Sequence, residues 1–234
     1  MDLIFASYNI HKAVGRNRRR DPDRILSVLR EIDADVIALQ EADRRFGARA
    51  SVLPRQTIDD HTPWTPVPLA QRPESLGWHG NALLIRRGIL ITDSGPVPIP
   101  MLEPRGAVFA ELEQAGQPFR VVGMHLDLSG LRRRHQIRAV LQFIAKRSLH
   151  CPTVLMGDFN QWTRAQGAMR EFDAGWQVLS PGRSFPAQQP IAALDRIVVS
   201  ADWHCGKAGV HHSLLATQAS DHLPIYARLN VPKK

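Results

Sequence analysis

Residues 153–160 read TVLMGDFN. Thr153 to Met156 supply the β-branched and long apolar side chains that fill a buried strand. Gly157 breaks the run, and Asp158 and Asn160 stand just past the break. A carboxylate or carboxamide at one strand end is ordinary, because both suit caps and turns. Here the arrangement recurs. Asn9 and His11 end the apolar run 3–10, and Glu41 ends the run 36–40. His125 and Asp127 follow Met124, Asp195 lies within LDRI, and Asp221 and His222 directly precede the run 223–229. Strand ends converge when strands pack into a sandwich, so polar residues at several of them predict one shared site.

Outward from these runs, the chain alternates strands with a few helices. Asp21-Pro22-Asp23 reads as a helix start, followed by Ile25, Val28, Leu29 and Ile32 on one face. Residues 131–147 carry Ile137, Val140, Leu141 and Ile144 at helical spacing. Runs 82–85 and 89–92 flank Arg86-Arg87-Gly88 as a hairpin, and runs 107–112 and 119–124 flank a second glycine turn. Residue 194 begins a further strand-like run that ends at 200. Residues 54–79, the prolines at 96, 98, 100 and 104, and residues 180–190 read as loops. No repeat and no long linker divides the chain. The expectation is a layered α/β sandwich in a single domain, 1–234.

Composition sets the outer bounds. The 234 residues are 44% hydrophobic and 22% charged, which excludes disorder, collagen and coiled coil as descriptions of the whole. No apolar run approaches the ~20 residues of a membrane helix. The opening MDLIFASYNIHK has no basic region of the secretory kind. Cys151 and Cys205 are the only cysteines, so a reducing, cytoplasmic location is expected. Thirty Lys and Arg against 22 Asp and Glu leave a net charge of +8. The excess gathers at Arg16, Arg18, Arg19 and Arg20, at Arg44, Arg45 and Arg49, and at Arg132, Arg133 and Arg134. Guanidinium forks match phosphate oxygens, so the charge points to an anionic substrate without choosing one.

The strand-end residues form a chemically coherent set. Asn9, Glu41, Asp158 and Asp221 offer hard oxygen donors without a Cys/His cluster, which suits Mg²⁺ or Mn²⁺ better than Zn²⁺. A histidine paired with an aspartate can move a proton or present a cation to a phosphoryl oxygen. A metal, an oriented water and a cationic donor are what phosphoester hydrolysis requires.

SYNIH, LQE, GNALL, MHLDL with a following RRRHQ, GDFN, LDRI and SDH occur in this order between Ser7 and His222. In that order the chain resembles the endonuclease/exonuclease/phosphatase superfamily. The resemblance implies a DNase I-like, four-layered α/β sandwich of two packed mixed sheets flanked by helices. It also implies a Mg²⁺- or Mn²⁺-dependent phosphoric ester hydrolase. Glu41 would be the principal metal ligand, with Asn9 and Asp221 nearby. Asp158 would orient or deprotonate the attacking water, and Asn160 would hold a phosphoryl oxygen. His222 would face the phosphate, with Asp195 fixing its ring, and His125 would stabilise the transition state. His11, Asn81, Arg105 and Arg134 are the expected substrate contacts.

Two departures bear on the branch. Abasic-site nucleases of the superfamily usually carry an acidic residue or Asn where this chain has His11. They carry a Tyr-containing motif where it has His125-Leu126-Asp127. Both favour a phosphodiesterase of the sphingomyelinase-like kind, with a phospholipid or other small phosphodiester as substrate. The alternative is a DNA nuclease of the exonuclease III type. The expected partner is an anionic phosphoester, with nucleic acid and a membrane surface both open, and a monomer is expected.

Overall fold

The computed structural model describes residues 1–69, 72–101, 105–163 and 166–231. Strand β1 (Asp2–Asn9) runs parallel to β2 (Val36–Gln40) at the centre of a six-stranded sheet. β3 (Trp64–Pro66) and β4 (Ala82–Arg86) extend it on one side, giving β11-β12-β1-β2-β4-β3 with β11 (His204–Val210) and β12 (Ile225–Asn230) on the other. The second sheet has the order β5-β6-β7-β8-β10-β9. Its strands are β5 (Leu90–Val97), β6 (Gly106–Gln114), β7 (Gln117–His125), β8 (Thr153–Asp158), β9 (Trp176–Leu179) and β10 (Asp195–Ser200). Within it only β7 and β8 are parallel, so both sheets are mixed.

Strand alternation divides the core into layers. Phe5, Val36, Ala38, Val121, Val154 and Met156 fill the space between the sheets. There the Phe5 ring meets Phe119 at 6.1 Å and Trp203 at 5.3 Å, both edge to face. Ala6 and Tyr8 point the other way, onto α1 (Pro22–Ile32) and α4 (Leu214–Ala219). Val122, Met124 and Leu155 face outward from the second sheet onto Ile137 and Val140 of α3 (Gly130–Ala145). Helices, sheet, sheet and helix make the expected four-layered sandwich. α1 starts where its sequence predicts: the Asp21 side chain accepts from Arg24 N at 3.0 Å and Pro22 takes the first turn.

The stretch 54–79 differs from its reading as one long loop. It holds α2 (Arg55–His61) and β3, with Trp64 fully buried and its Nε1 donating to Ala34 O at 2.7 Å. Ile58 is the one buried residue of α2, which leaves no apolar period to read. Pro96 belongs to β5 rather than to a loop; β5 pairs only with β6, and an edge strand tolerates proline. Pro104 lies outside the described residues. β9 and β11 also went unread, since both are sheet-edge strands with mixed burial. Both cysteines are free.

Candidate active site

Strand direction assembles the site. β1, β2, β7 and β8 end at one edge of the sandwich, and their antiparallel neighbours β4, β6, β10 and β12 begin there. Contacts between the sheets confirm the shared edge: Asn9 Nδ2 donates to Asp158 Oδ2 at 3.1 Å, joining β1 to β8. Gly157 sets up Asp158. It has φ +156°, and a Cβ there would lie 1.8 Å from Met124 O, so only glycine lets β8 approach β7 so closely. Positive φ recurs around the site at His11, Lys12, Glu41, His79 and Asn160, a concentration of strained backbone of the kind that functional sites retain.

Asp158 is nearly inaccessible. Its Oδ1 accepts from Asn160 N at 2.9 Å, and Asn160 Nδ2 is fixed on Leu126 O at 3.0 Å. Two imidazoles approach Oδ2: His125 Nε2 at 3.4 Å and His222 Nε2 at 3.8 Å. They carry opposite character. Burial works against a charged His222 ring, but Asp195 at 2.9 Å from Nδ1, with Asp158 and Asp221 nearby, raises its pKa to about 10. Burial dominates at His125 and, with the positive charge of Arg105, lowers its pKa to about 4. Arg105 Nη1 hydrogen-bonds His125 Nε2 and also donates to Leu126 O at 3.0 Å. A guanidinium cannot accept, so Nε2 of His125 is the acceptor and the neutral ring carries its proton on Nδ1. At neutral pH the site therefore holds one imidazolium and one imidazole. Asp195 also accepts from the Ser184 hydroxyl, and Phe185 packs on the His222 ring at 4.8 Å between centroids.

Glu41 stands across from this cluster. Burial opposes its charge, yet a hydrogen bond from the Lys12 ammonium holds its carboxyl below the usual range. Lys12 reaches it because His11, Lys12 and Ala13 form a short turn with left-handed backbone. Asn9 Oδ1 accepts from His11 N at 3.1 Å. Asp221, half-exposed, lies 3.9 Å from His11 Nδ1. Beyond Glu41 opens a cleft lined by Lys12, Arg44, Arg45, Arg49, His79 and Arg105. Asp43 also lines it, with its two oxygens accepting from Ser75 Oγ at 2.6 Å and Leu76 N at 2.8 Å.

Two groupings could hold a cation. Ligand atoms of Asp158, Asp195 and His222 lie within 4.8 Å of one another. A protonated His222 has no lone pair to offer, and its Nδ1 is committed to Asp195, so this trio fits proton chemistry better than a metal. Glu41 offers a hard carboxylate that already receives an ammonium from Lys12, and Asn9 and Asp221 each present an oxygen to the adjoining His11.

The predicted residues Asn9, His11, Glu41, Arg105, His125, Asp158, Asn160, Asp195, Asp221 and His222 thus meet at one edge. Asn81 sits just behind, buried in the turn before β4, with Nδ2 on Trp78 O at 3.4 Å. Arg134 does not join them; it faces away on α3, with Nε on Glu171 Oε1 at 2.8 Å. Its neighbour Arg133 is the one turned inward, with Nε on Gln161 Oε1 at 3.2 Å. Ser184, Phe185 and the Lys12–Glu41 pair escaped the sequence reading. None carries a local signal, since each depends on a partner distant in the chain.

The pattern of the Endonuclease/Exonuclease/phosphatase family matches residues 6–222. The chain belongs to that family. It is 27% identical to the protein YbhP of Escherichia coli K12 over 244 aligned positions, covering 95% of this chain and 94% of that one. Its fold matches an endonuclease/exonuclease/phosphatase from Bacteroides vulgatus with a TM-score of 0.78 at 16% identity, over 99% of this chain and 100% of the other. It also matches a mannosyl-6-phosphatase of Bacteroides thetaiotaomicron with a TM-score of 0.76 at 17% identity, over 97% and 99%. Members of the endonuclease/exonuclease/phosphatase family are phosphoester hydrolases and generally depend on a divalent metal, so the chain is placed among such hydrolases.

Proposed function

We propose that this family member is a Mg²⁺- or Mn²⁺-dependent phosphodiesterase whose substrate is a phospholipid or other small phosphodiester. One observation carries the reading: an imidazolium, a neutral imidazole and a buried carboxylate meet beside an arginine-lined cleft. The positive cleft suits an anionic ester, and the buried cluster suits in-line attack by water.

In this reading Asp158 takes the proton of the attacking water through Oδ2, and Asn9 and Asn160 hold the carboxylate in place. His222 presents its Nε2 proton to a phosphoryl oxygen, and Asp195 keeps the ring charged and oriented. Arg105 supports a second oxygen, and His125 accepts from its guanidinium and holds it in place. Glu41, with Asn9 and Asp221, would hold the metal, which supplies Lewis-acid stabilisation of the developing negative charge. Arg44 and Arg49 hold the anionic substrate in the cleft, and His11 stands at its rim.

The test compares wild type with Asp158→Asn on phospholipid vesicles, plasmid DNA, abasic duplex and bis-para-nitrophenyl phosphate, after chelation and readdition of Mg²⁺ or Mn²⁺. Phospholipid cleavage that requires metal and Asp158 supports the reading. Cleavage of DNA alone replaces it with the nuclease alternative, and turnover in the chelated or mutant protein removes the assigned chemistry.

A further inference from the structure

Eight large hydrophobic residues are exposed among the described residues, and six of them lie in segments at the edge of the sandwich that carries the site. Each falls in a segment that leads from or to a site residue. Phe46, 81% exposed, follows Glu41; Leu128 and Leu131 follow His125; Trp162 follows Asn160. Met101 precedes Arg105, and Ile191 precedes Asp195. The other two lie elsewhere: Leu90 is at the opposite edge, where the chain crosses from β4 in one sheet to β5 in the other, and Leu214 starts α4 beside Ser213, whose hydroxyl is held on Glu31 at the C-terminal end of α1. Random scatter of exposed apolar side chains would not favour one edge so strongly.

The same edge concentrates the positive charge. Arg16, Arg18, Arg19 and Arg20 are exposed in the segment between β1 and α1, Arg44 and Arg45 directly precede Phe46, and Arg183 lies in the segment with Ile191. Single apolar side chains set among arginines, on several separate segments, match the chemistry of a bilayer interface. There the apolar groups enter the acyl boundary and the guanidinium groups meet anionic headgroups. Duplex DNA would answer the arginines but gives aliphatic Leu128, Leu131 and Ile191 nothing to bind in place of water.

We propose that this edge docks on the surface of an anionic phospholipid bilayer, so that the cleft beside Glu41 opens toward the headgroups. The proposal rests on the phospholipid reading for its purpose, but the docking can be measured without turnover. The full chain is sedimented with vesicles of phosphatidylglycerol and phosphatidylethanolamine, and with vesicles of phosphatidylcholine alone. Trp162 is the one exposed tryptophan of the five, so quenching by brominated acyl chains reports its insertion. The triple variant Phe46→Ser, Leu128→Ser, Trp162→Ser alters no residue of the proposed catalytic cluster or cleft. Its hydrolysis of bis-para-nitrophenyl phosphate serves as the folding control, with a urea midpoint as the second.

Wild type is expected to prefer the anionic vesicles by at least about tenfold, with quenching of Trp162, and the triple variant to lose about tenfold in vesicle affinity. Equal sedimentation of wild type and a folded variant overturns the proposal, as does binding without quenching. Tight, salt-sensitive binding to duplex DNA with no affinity for vesicles overturns it in favour of a nucleic-acid face. Docking by a protein that fails to cleave phospholipid would refute the assigned substrate and leave the docking surface standing.

Discussion

Nδ1 of His222 donates to Asp195 Oδ2 across 2.9 Å, and neither side chain is more than 6% exposed. The pair joins the segment before β12 to the start of β10, and so ties one sheet to the other at the site. A carboxylate held this close to a buried ring keeps it protonated and fixes which nitrogen faces Asp158. Asp195→Asn removes the charge and keeps the shape. Its kcat is expected to fall by about a hundredfold, with KM little changed. The alkaline limb of its rate profile should move to lower pH, because the imidazolium loses its main support. A profile with an unmoved alkaline limb would contradict this role.

The two histidines also give stability a defined pH dependence. The folded pKa of His222, about 10, is raised above its ordinary value of 6.5. Its contribution is therefore complete below pH 6.5 and lost as pH rises toward 10. The folded pKa of His125, about 4, is depressed from 6.5, so the unfolded chain binds the extra proton between those values. Stability then falls as pH drops from 6.5 toward 4. Urea midpoints across this range should peak near neutrality. His222→Gln should flatten the alkaline side and His125→Gln the acidic side.

Lys12 on Glu41 competes with any cation for the same carboxylate. Removing the ammonium with Lys12→Met should tighten Mn²⁺ binding by about tenfold in a calorimetric titration, since two like charges no longer share one site. Weaker Mn²⁺ binding in the variant would show instead that Lys12 helps to organise the ligands.

The cleft arginines and Arg134 separate by experiment. Arg44→Ala and Arg49→Ala are each expected to raise KM about fivefold on an anionic ester, with kcat nearly unchanged. Arg134→Ala should leave both constants within about twofold, because its guanidinium is spent on Glu171 at an exposed site.

Gly157→Ala tests the close approach of β8 to β7. The added methyl meets Met124 O, and the φ of +156° is strained for any other residue. A loss of about 3 kcal/mol or more in urea denaturation is expected. A loss below about 1 kcal/mol would mean that the strands part easily.

Much of the site was legible along the chain. Gly157-Asp158-Phe159-Asn160, Glu41 after β2 and Asp221-His222 before β12 are local events: an apolar run stops and a polar residue follows. Turn chemistry and strand periodicity act between near neighbours, so sequence alone set the strand ends, the helix start at Asp21 and the oxygen-donor character of the site. The layered α/β class follows from the same alternation. What the tertiary structure decided is which side chains meet. Arg133 and Arg134 read alike, yet the packing of Ile137 and Val140 on the second sheet fixes the rotation of α3, turning one inward and the other toward Glu171. Ser184 and Asp195, Lys12 and Glu41, and the opposite protonation of His125 and His222 likewise follow from burial and strand order. Gathering the exposed apolar residues at one edge depends on strand direction as well. The free energy of a charge or an exposed methyl is set by its three-dimensional neighbours, and residues adjacent in sequence determine few of those.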